Sequence, residues 1–217
     1  MSLLRLYDYA ASANCFKVRL LLAQLGVEYE RIAIDIFDGD TLTDEYERLN
    51  PFRSTPVLVL PDATPLIESN AILWYLARDT GFLPDDPVGQ AEVVRWLIYE
   101  QSDVMPAIGG LRVRLVTGRF AADSPEAEAR RSNAYEVIRM LDAHLGTRDF
   151  LVADRYTIAD LGVFAYAHTA PEAEIDTTPY ANFKKWLSRV AEQPRFVNDL
   201  EPYPPNASLK VGRSIYG

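Results

Sequence analysis

The sequence predicts an α+β protein in two parts, a small mixed sheet with helices followed by an all-helical part. Three observations support this prediction. A strand, helix and strand pattern opens the chain, and Gly26 stands where its helix should end. Two short apolar runs, residues 57–60 and 66–67, follow close together. After the proline-rich segment 83–87, no alternation of apolar and polar residues typical of strands is found.

The first part opens with a predicted buried strand at residues 3–9, apolar and aromatic around Arg5. Ser12 and Asn14 then offer side chains suited to cap a helix N-terminus. The helix itself is predicted by an apolar face at i, i+3, i+4 and i+7, formed by Val18, Leu21, Leu22 and Leu25. Isoleucines at positions 32, 34 and 36 alternate as in a second strand. Two strands joined by a helix form a right-handed βαβ unit, so we expect them to be parallel.

The second half of this part has a different character. Asn50 and Pro51 end a short helix predicted over residues 43–49. The runs 57–60 and 66–67 are so close that they can only pair as antiparallel strands. A helix is predicted from residue 71 to residue 77. The order β-α-β-(α)-β-β-α is that of a thioredoxin-like domain.

The remainder is predicted to be helical, and its first helix, after the linker, is predicted at roughly residues 88–104. Ser124-Pro125-Glu126 is typical of a helix start, and Thr157 with Asp160 resembles a capping box. We therefore divide the chain into a first domain at 1–82, a linker at 83–87, an all-helical domain at 88–200 and an extended tail at 201–217.

Composition excludes several classes of protein. A net charge of -9 without a basic segment argues against nucleic-acid binding. Cys15 is the only cysteine, so an intrachain disulfide and a cysteine-rich zinc site are excluded. His144 and His168 lack the spacing of metal ligands. No basic leader or apolar run of about 20 residues is found, so we expect a cytoplasmic protein without membrane contact.

Five stretches of the chain, in order, resemble the glutathione S-transferase family. They are Leu6-Tyr7-Asp8-Tyr9 through Ser12-Ala13-Asn14-Cys15-Phe16-Lys17-Val18-Arg19, Asn50-Pro51-Phe52-Arg53-Ser54-Thr55-Pro56, Glu68-Ser69-Asn70-Ala71-Ile72, Phe150-Leu151 through Asp154-Arg155-Tyr156-Thr157-Ile158-Ala159-Asp160, and Tyr180-Ala181-Asn182-Phe183 through Arg195-Phe196. The resemblance implies a thioredoxin-like glutathione-binding domain followed by the family's all-helical domain. It also implies conjugation of glutathione to hydrophobic electrophilic small molecules by a homodimer, without a metal.

The thiol of glutathione must be held as a thiolate, and the resemblance implies that Ser12 donates a hydrogen bond to it. By position alone, a simple helix cap is the favoured interpretation of Ser12. A charge-assisted hydrogen bond contributes about 1.5–3 kcal/mol. Lowering a thiol pKa by one or two units requires about 1.4–2.8 kcal/mol, so one donor beside a helix N-terminus suffices.

Asn14 and Cys15 are the other catalytic candidates. Ser12-Ala13-Asn14-Cys15-Phe16-Lys17 is similar to the "T-P-N-G-x-K" of the bacterial Nu class, with Ser for Thr and Cys for Gly. The zeta class has "S-S-C-x" here, and only its first serine matches. The beta class uses a cysteine, but in a different local motif. Cys15 could otherwise be a small buried helix residue.

The resemblance assigns the remaining contacts of glutathione and of its co-substrate. Thr55 before a cis Pro56 would pair with the cysteinyl backbone, next to Ser54, and Glu68 with Ser69 would hold the γ-glutamyl end. Arg53 could meet the glycyl carboxylate or remain a solvated surface residue, and its neighbour Phe52 could be a dimer contact or core. The expected co-substrate wall consists of Tyr99, Met105, Ile108 and Arg112.

Two other functions remain open from the sequence. The Nu-like pattern favours a glutathione-dependent disulfide reductase or peroxidase. A non-catalytic ligand-binding or regulatory protein of the same fold is the other, and the intact Thr55-Pro56 and Glu68-Ser69 pairs argue against it.

Overall fold

A computed structural model describes residues 3–152 and 154–215 of the chain. Ala153 of the stretch 150–160 and the last two residues of the predicted tail, Tyr216 and Gly217, lie outside this described part. Internal contacts divide the chain into two units. The first comprises the chain up to Leu76 together with the chain from Val197 onward, and the second is Ala77–Phe196.

The first unit is built on a four-stranded sheet of order β2-β1-β3-β4. The strands are β1 (Leu4–Asp8), β2 (Tyr29–Ala33), β3 (Val57–Val59) and β4 (Pro65–Ile67). β1 runs parallel to β2, with Leu4 opposite Tyr29, and antiparallel to β3, with Tyr7 opposite Val57. β3 and β4 form an antiparallel hairpin. This topology confirms the predicted thioredoxin-like arrangement.

Its helices are α1 (Ala13–Leu25), α2 (Asp44–Leu49) and α3 (Ser69–Ala77), with a 3₁₀ turn at Asp40–Leu42. α1 ends as predicted at Gly26, whose φ of 67° suits a residue without a Cβ. β2 differs from its prediction, because the alternating isoleucines continue past the end of the strand. The N–H of Ile34 still donates to Asp8, the last residue of β1, at 2.9 Å. Ile36 then leaves the sheet and packs in an apolar cluster with Tyr9.

The chain from residue 197 to 215, which we call the C-terminal strap, belongs to the first unit. It contains a short 3₁₀ turn at Pro205–Ala207, and Ala207 is fully buried. Tyr203 packs beside Tyr9 and Phe37, with ring centroids 6.3 and 6.5 Å away. The strap is therefore part of the packing of the sheet domain.

The second unit is helical. Its elements are α4 (Pro87–Tyr99), a π-helical segment (Glu100–Gly109), α5 (Gly110–Val116), α6 (Pro125–His144), α7 (Ile158–Ala167) and α8 (Ala181–Ala191), with shorter 3₁₀ turns between them. The predicted start of α6 is confirmed, since the Ser124 hydroxyl accepts from the N–H of Ala127 at 3.2 Å. The predicted capping box of Thr157 and Asp160 is present at α7.

The predicted helix over residues 88–104 is wrong beyond Tyr99, because α4 ends there and the chain continues with π geometry. Pro106 lies inside the π segment. Proline has no N–H to donate and its ring crowds the preceding turn, so a regular α-helix is interrupted there. Within the described residues, every helix is too short or too polar to cross a membrane.

Candidate functional site

Ser12 lies at the N-terminus of α1, in extended backbone directly after the loop that leaves β1. Its Oγ accepts from the N–H of Cys15 at 3.3 Å, so it caps the helix. A hydroxyl oxygen has two lone pairs and one proton, so this capping bond leaves the proton to donate elsewhere. The first turn of a helix also presents N–H groups without intrahelical acceptors, which favour an anion.

The N-terminus of α3 is tied to that of α1 by side chains. The Ser69 hydroxyl donates to Asn14 Oδ1 at 3.0 Å, and the Lys17 ammonium donates to Asn70 Oδ1 at 3.1 Å. Ser69 and Lys17 are buried, while Asn14 and Asn70 are partly exposed. The structure thus brings the two predicted halves of the glutathione site together. Lys17 and Asn70 occur in the sequence motifs above, but neither was predicted to be a site residue. Only this contact links them to the two helix N-termini.

Glu68 directly precedes α3. Its carbonyl accepts from the N–H of Ile72 at 2.9 Å, as the residue before a helix does, and its side chain is exposed. Its φ is 66°, in the left-handed region that costs a residue with a Cβ some energy. Glu68 thus offers an exposed carboxylate on the residue directly before the N-terminal N–H groups of α3.

The Thr55–Pro56 peptide bond is cis, as the resemblance implied. Two residues hold the loop before this bond, one within α2 and one directly after it. The sequence alone pointed to neither of them as part of the site. The Tyr46 hydroxyl and Asn50 Nδ2 each donate to the carbonyl of Ser54 at 2.8 Å, and Asn50 is fully buried. The sequence offered only Asn50-Pro51 as a helix stop, a signal that did not reveal this second role.

Arg53 pairs with a residue of α2. Its Nη2 lies 2.8 Å from Glu47 Oε2, and its side chain is 32% exposed. Such partly exposed ion pairs contribute little to stability, so the guanidinium can exchange partners at small cost. The role of Arg53 towards a ligand carboxylate stays a prediction.

Cys15 lies beneath the site in the core of the first unit and is fully buried. Its Sγ accepts from the N–H of Tyr9 at 3.4 Å. Burial and the nearby Asp8 carboxylate raise the pKa of the thiol to about 12, although a hydrogen bond with the Thr55 side chain acts in the opposite direction. A neutral buried thiol is a poor nucleophile.

The four co-substrate candidates are all in the second unit and lie in different surroundings. Tyr99 lines a cavity of about 390 Å³, with burial and Asp103 raising its pKa to about 12. The other lining residues are Ser102, Asp103, Pro106, Ala107, Arg130, Asn133, Glu136 and Val137. Met105 is partly exposed, whereas Ile108 is fully buried. Arg112 is also buried, and its Nε donates to Glu172 at 2.8 Å.

Among residues 3–152 and 154–215, no cluster of three or more histidine, cysteine or acidic side chains could hold a metal ion. The candidate site in the first unit thus consists of two tied helix N-termini, a hydroxyl and a cis-proline loop. This arrangement belongs to a thioredoxin-like domain whose helix N-termini present N–H groups that favour an anion.

Comparison with known proteins agrees with this class. The family model of the glutathione S-transferase N-terminal domain matches residues 11–79, and that of the C-terminal domain matches residues 104–194. A solved glutathione S-transferase of Pseudomonas fluorescens is 36% identical, with a TM-score of 0.88, over 92% of this chain and 100% of that one. The chain therefore belongs to the glutathione S-transferase family.

Two further relatives are informative. A glutathione transferase of Burkholderia graminis, solved with two glutathione molecules bound per subunit, is 26% identical with a TM-score of 0.81, over 92% of this chain and 88% of that one. A disulfide-bond oxidoreductase of Escherichia coli is 29% identical over 88% of this chain and 72% of its own length.

Proposed function

We propose that the protein is a glutathione transferase in which Ser12 and the N-terminus of α1 stabilise the thiolate of glutathione. The observation that carries this proposal is the position of the Ser12 hydroxyl at the start of α1, beside the tied N-terminus of α3. The thiolate sulfur attacks an electrophilic carbon of a hydrophobic small molecule. A carbon–sulfur bond forms, and the leaving group departs with its electron pair.

The peptide part of glutathione is expected to follow the same geometry. Thr55 would offer its backbone to the cysteinyl unit, with Ser54 and cis Pro56 shaping the loop around it. Glu68 would pair with the γ-glutamyl ammonium, and Ser69 with the N–H groups of α3 would hold its carboxylate. Arg53 would leave Glu47 to meet the glycyl carboxylate.

The electrophile is expected to contact the second unit. Tyr99 and Met105 have exposed surface and are retained as wall residues, while Ile108 and Arg112 would support the wall from beneath. We also propose a cytoplasmic location, where glutathione is kept reduced. Since the chemistry uses a thiolate and hydrogen-bond donors, no metal enters the proposed mechanism.

A homodimer is part of the proposal, because both units expose large apolar side chains. Phe52 is 65% exposed and Tyr75 is 38% exposed on the first unit. Val94 and Ile98 lie one turn apart on α4 of the second, and Ile98 is 63% exposed. A second copy would remove such side chains from water.

The test is kinetic. We expect Ser12→Ala to lower kcat for a chloro-nitrobenzene-type electrophile by about 10- to 100-fold, the equivalent of one charge-assisted hydrogen bond. Glutathione affinity, measured by calorimetry, should change far less. Ser12→Thr keeps the hydroxyl, both as a helix cap and as a donor, and should recover most of the activity. Unchanged turnover in Ser12→Ala would contradict the proposed role.

A second candidate is a glutathione-dependent disulfide reductase or peroxidase. It is favoured by Asn14, which completes the Nu-like pattern with Ser12 and Lys17 and contacts Ser69 in the structure. The similarity to a disulfide-bond oxidoreductase points the same way. Here one glutathione thiolate attacks a disulfide, breaks its S–S bond and releases one thiol. A second glutathione thiolate then attacks the mixed disulfide, which releases the other thiol and glutathione disulfide. Comparing the turnover of a small disulfide with that of the electrophile decides between the two activities.

A further inference from the structure

The C-terminal strap meets the middle of α1 at a buried arginine, Arg19. The side chain of Arg19 is 1% exposed, and its Nε donates to the two carboxylate oxygens of Asp199 at 3.0 and 2.9 Å. Its Nη1 donates to Asp8 at 2.6 Å, and the other oxygen of Asp8 accepts from Arg31. Asp199 is 43% exposed, so its pair with Arg19 lies at the edge of the core, and its loss leaves part of the arginine charge uncompensated. Asp199 thus completes a network at the end of β1 in which two arginines face two aspartates, so that the charges balance.

The same network holds the loop that leads to Ser12. The carbonyl of Ala10 accepts from Arg19 Nη2 at 3.3 Å and from the backbone N–H of Glu201 at 3.2 Å. Arg19 Nη2 also donates to the carbonyl of Asp199 at 3.2 Å. The strap therefore supplies one donor to this loop directly and fixes the arginine that supplies the other.

Further contacts anchor the strap along its length. Asn206 Nδ2 donates to Asp35 at 2.7 Å, and the N–H of Arg213 donates to the carbonyl of Phe37 at 2.7 Å. At Gly212, an added Cβ would lie 2.4 Å from the carbonyl oxygens of Phe37 and Asn206, so only glycine fits there. The matched family segments end at residue 194, so neither accounts for the strap.

We propose that the C-terminal strap is a positioning element of the glutathione site, in which Asp199 acts through Arg19 and Ala10 on the loop that carries Ser12. Asp199 makes no contact with the ligand in this proposal. Its effect on the thiolate rests on the proposed function, whereas its effect on the loop rests on the contacts above. A hydrogen-bond donor stabilises a thiolate only when it is held in place, so a looser loop should raise the pKa of bound glutathione.

The experiment uses the full chain and the variant Asp199→Asn, which removes the charge from a side chain that is 43% exposed and should leave the protein folded. Hydrogen exchange of the peptide covering residues 9–16 reports the loop. The ultraviolet absorbance of the glutathione thiolate, titrated with pH in the complex, reports the thiol pKa. Asp199→Glu tests rescue. Glu201→Gln removes a neighbouring charge but keeps the backbone N–H that donates to Ala10, and it serves as the matched control.

In Asp199→Asn we expect faster exchange in residues 9–16 and a thiol pKa raised by about 0.5–1 unit. Well below that pKa the thiolate fraction then falls about 3- to 10-fold, and kcat should fall with it. KM for glutathione should stay within about twofold, because the peptide contacts lie elsewhere. Asp199→Glu should restore the thiol pKa, and Glu201→Gln should behave like the wild type.

Unchanged exchange in residues 9–16 would overturn the proposal. Faster exchange with an unchanged thiol pKa would overturn it too, because the strap would then stabilise the fold alone. If the wild type itself binds no glutathione thiolate, the proposed function fails. The exchange measurement still shows, in that case, whether Asp199 holds the loop.

Discussion

At the residue scale, Ser12 and Cys15 lie three positions apart and have opposite surroundings. The Ser12 side chain is at the partly exposed start of α1, whereas the thiol of Cys15 is fully buried one turn further on. Both were candidates from the sequence because both lie where the family places its catalytic group. We infer that Ser12 is the donor and that Cys15 belongs to the core, because burial and Asp8 disfavour its charged form.

This inference predicts that Cys15 is inert in the native protein. With burial raising its pKa to about 12, the thiol stays protonated at pH 8. A thiol-reactive dye should label the native protein at pH 8 far more slowly than the protein unfolded in urea. The unfolded chain serves as the control, since the same cysteine then titrates near its ordinary value of 9.0. Rapid labelling of the native protein would contradict the assignment.

At the element scale, α7 shows how a local sequence signal acquires a tertiary role. Asp160 closes the predicted capping box with Thr157, and it is fully buried. The same carboxylate also accepts from the N–H of Leu151 at 2.8 Å and from Trp186 Nε1 at 3.0 Å. One side chain thus joins the start of α7 to α8 and to the segment after α6. Burial raises its pKa to about 6 in spite of these donors.

We therefore expect Asp160→Ala to destabilise the protein by about 3 kcal/mol or more, because several buried donors lose their acceptor. Ser124→Ala is the matched control, a cap of α6 with a single bond to Ala127, and should cost about 1 kcal/mol. Urea unfolding followed by circular dichroism measures both values. Equal losses in the two variants would show that Asp160 acts as a cap and nothing more.

At the scale of the whole molecule, the exposed apolar side chains predict self-association. A charge at Ile98 should weaken the proposed dimer, since an unpaired charge in an apolar interface is costly. We expect Ile98→Asp to shift the protein towards the monomer in sedimentation velocity. Val116→Asp is the control, since Val116 is 46% exposed but lies on α5, outside the surface we assign to the second copy. A wild-type monomer at micromolar concentration would contradict the dimer.

The first unit was predicted well because its signals are local. The cap at Ser12, the stop at Gly26 and the antiparallel hairpin each depend on residues close together in the chain. The end of β2 was misplaced, because the length of a strand depends on its partner and β1 ends at Asp8. The helix predicted over residues 88–104 did not take account of Pro106, two residues beyond its predicted end. The π segment that contains Pro106 changes which side chains share a face of the helix.

The sequence by itself determined the two-part architecture and the family, and it supplied candidate residues for the site. Periodicity, caps and motifs act over a few residues, so they can be read without a structure. Tertiary structure alone decided which candidates meet: Ser69 contacts Asn14 across 55 residues, and Asp199 contacts Arg19 across 180. It also decided that Cys15 is buried and that the strap belongs to the first unit. Contacts at such separations depend on how the whole chain packs, and no local pattern encodes them.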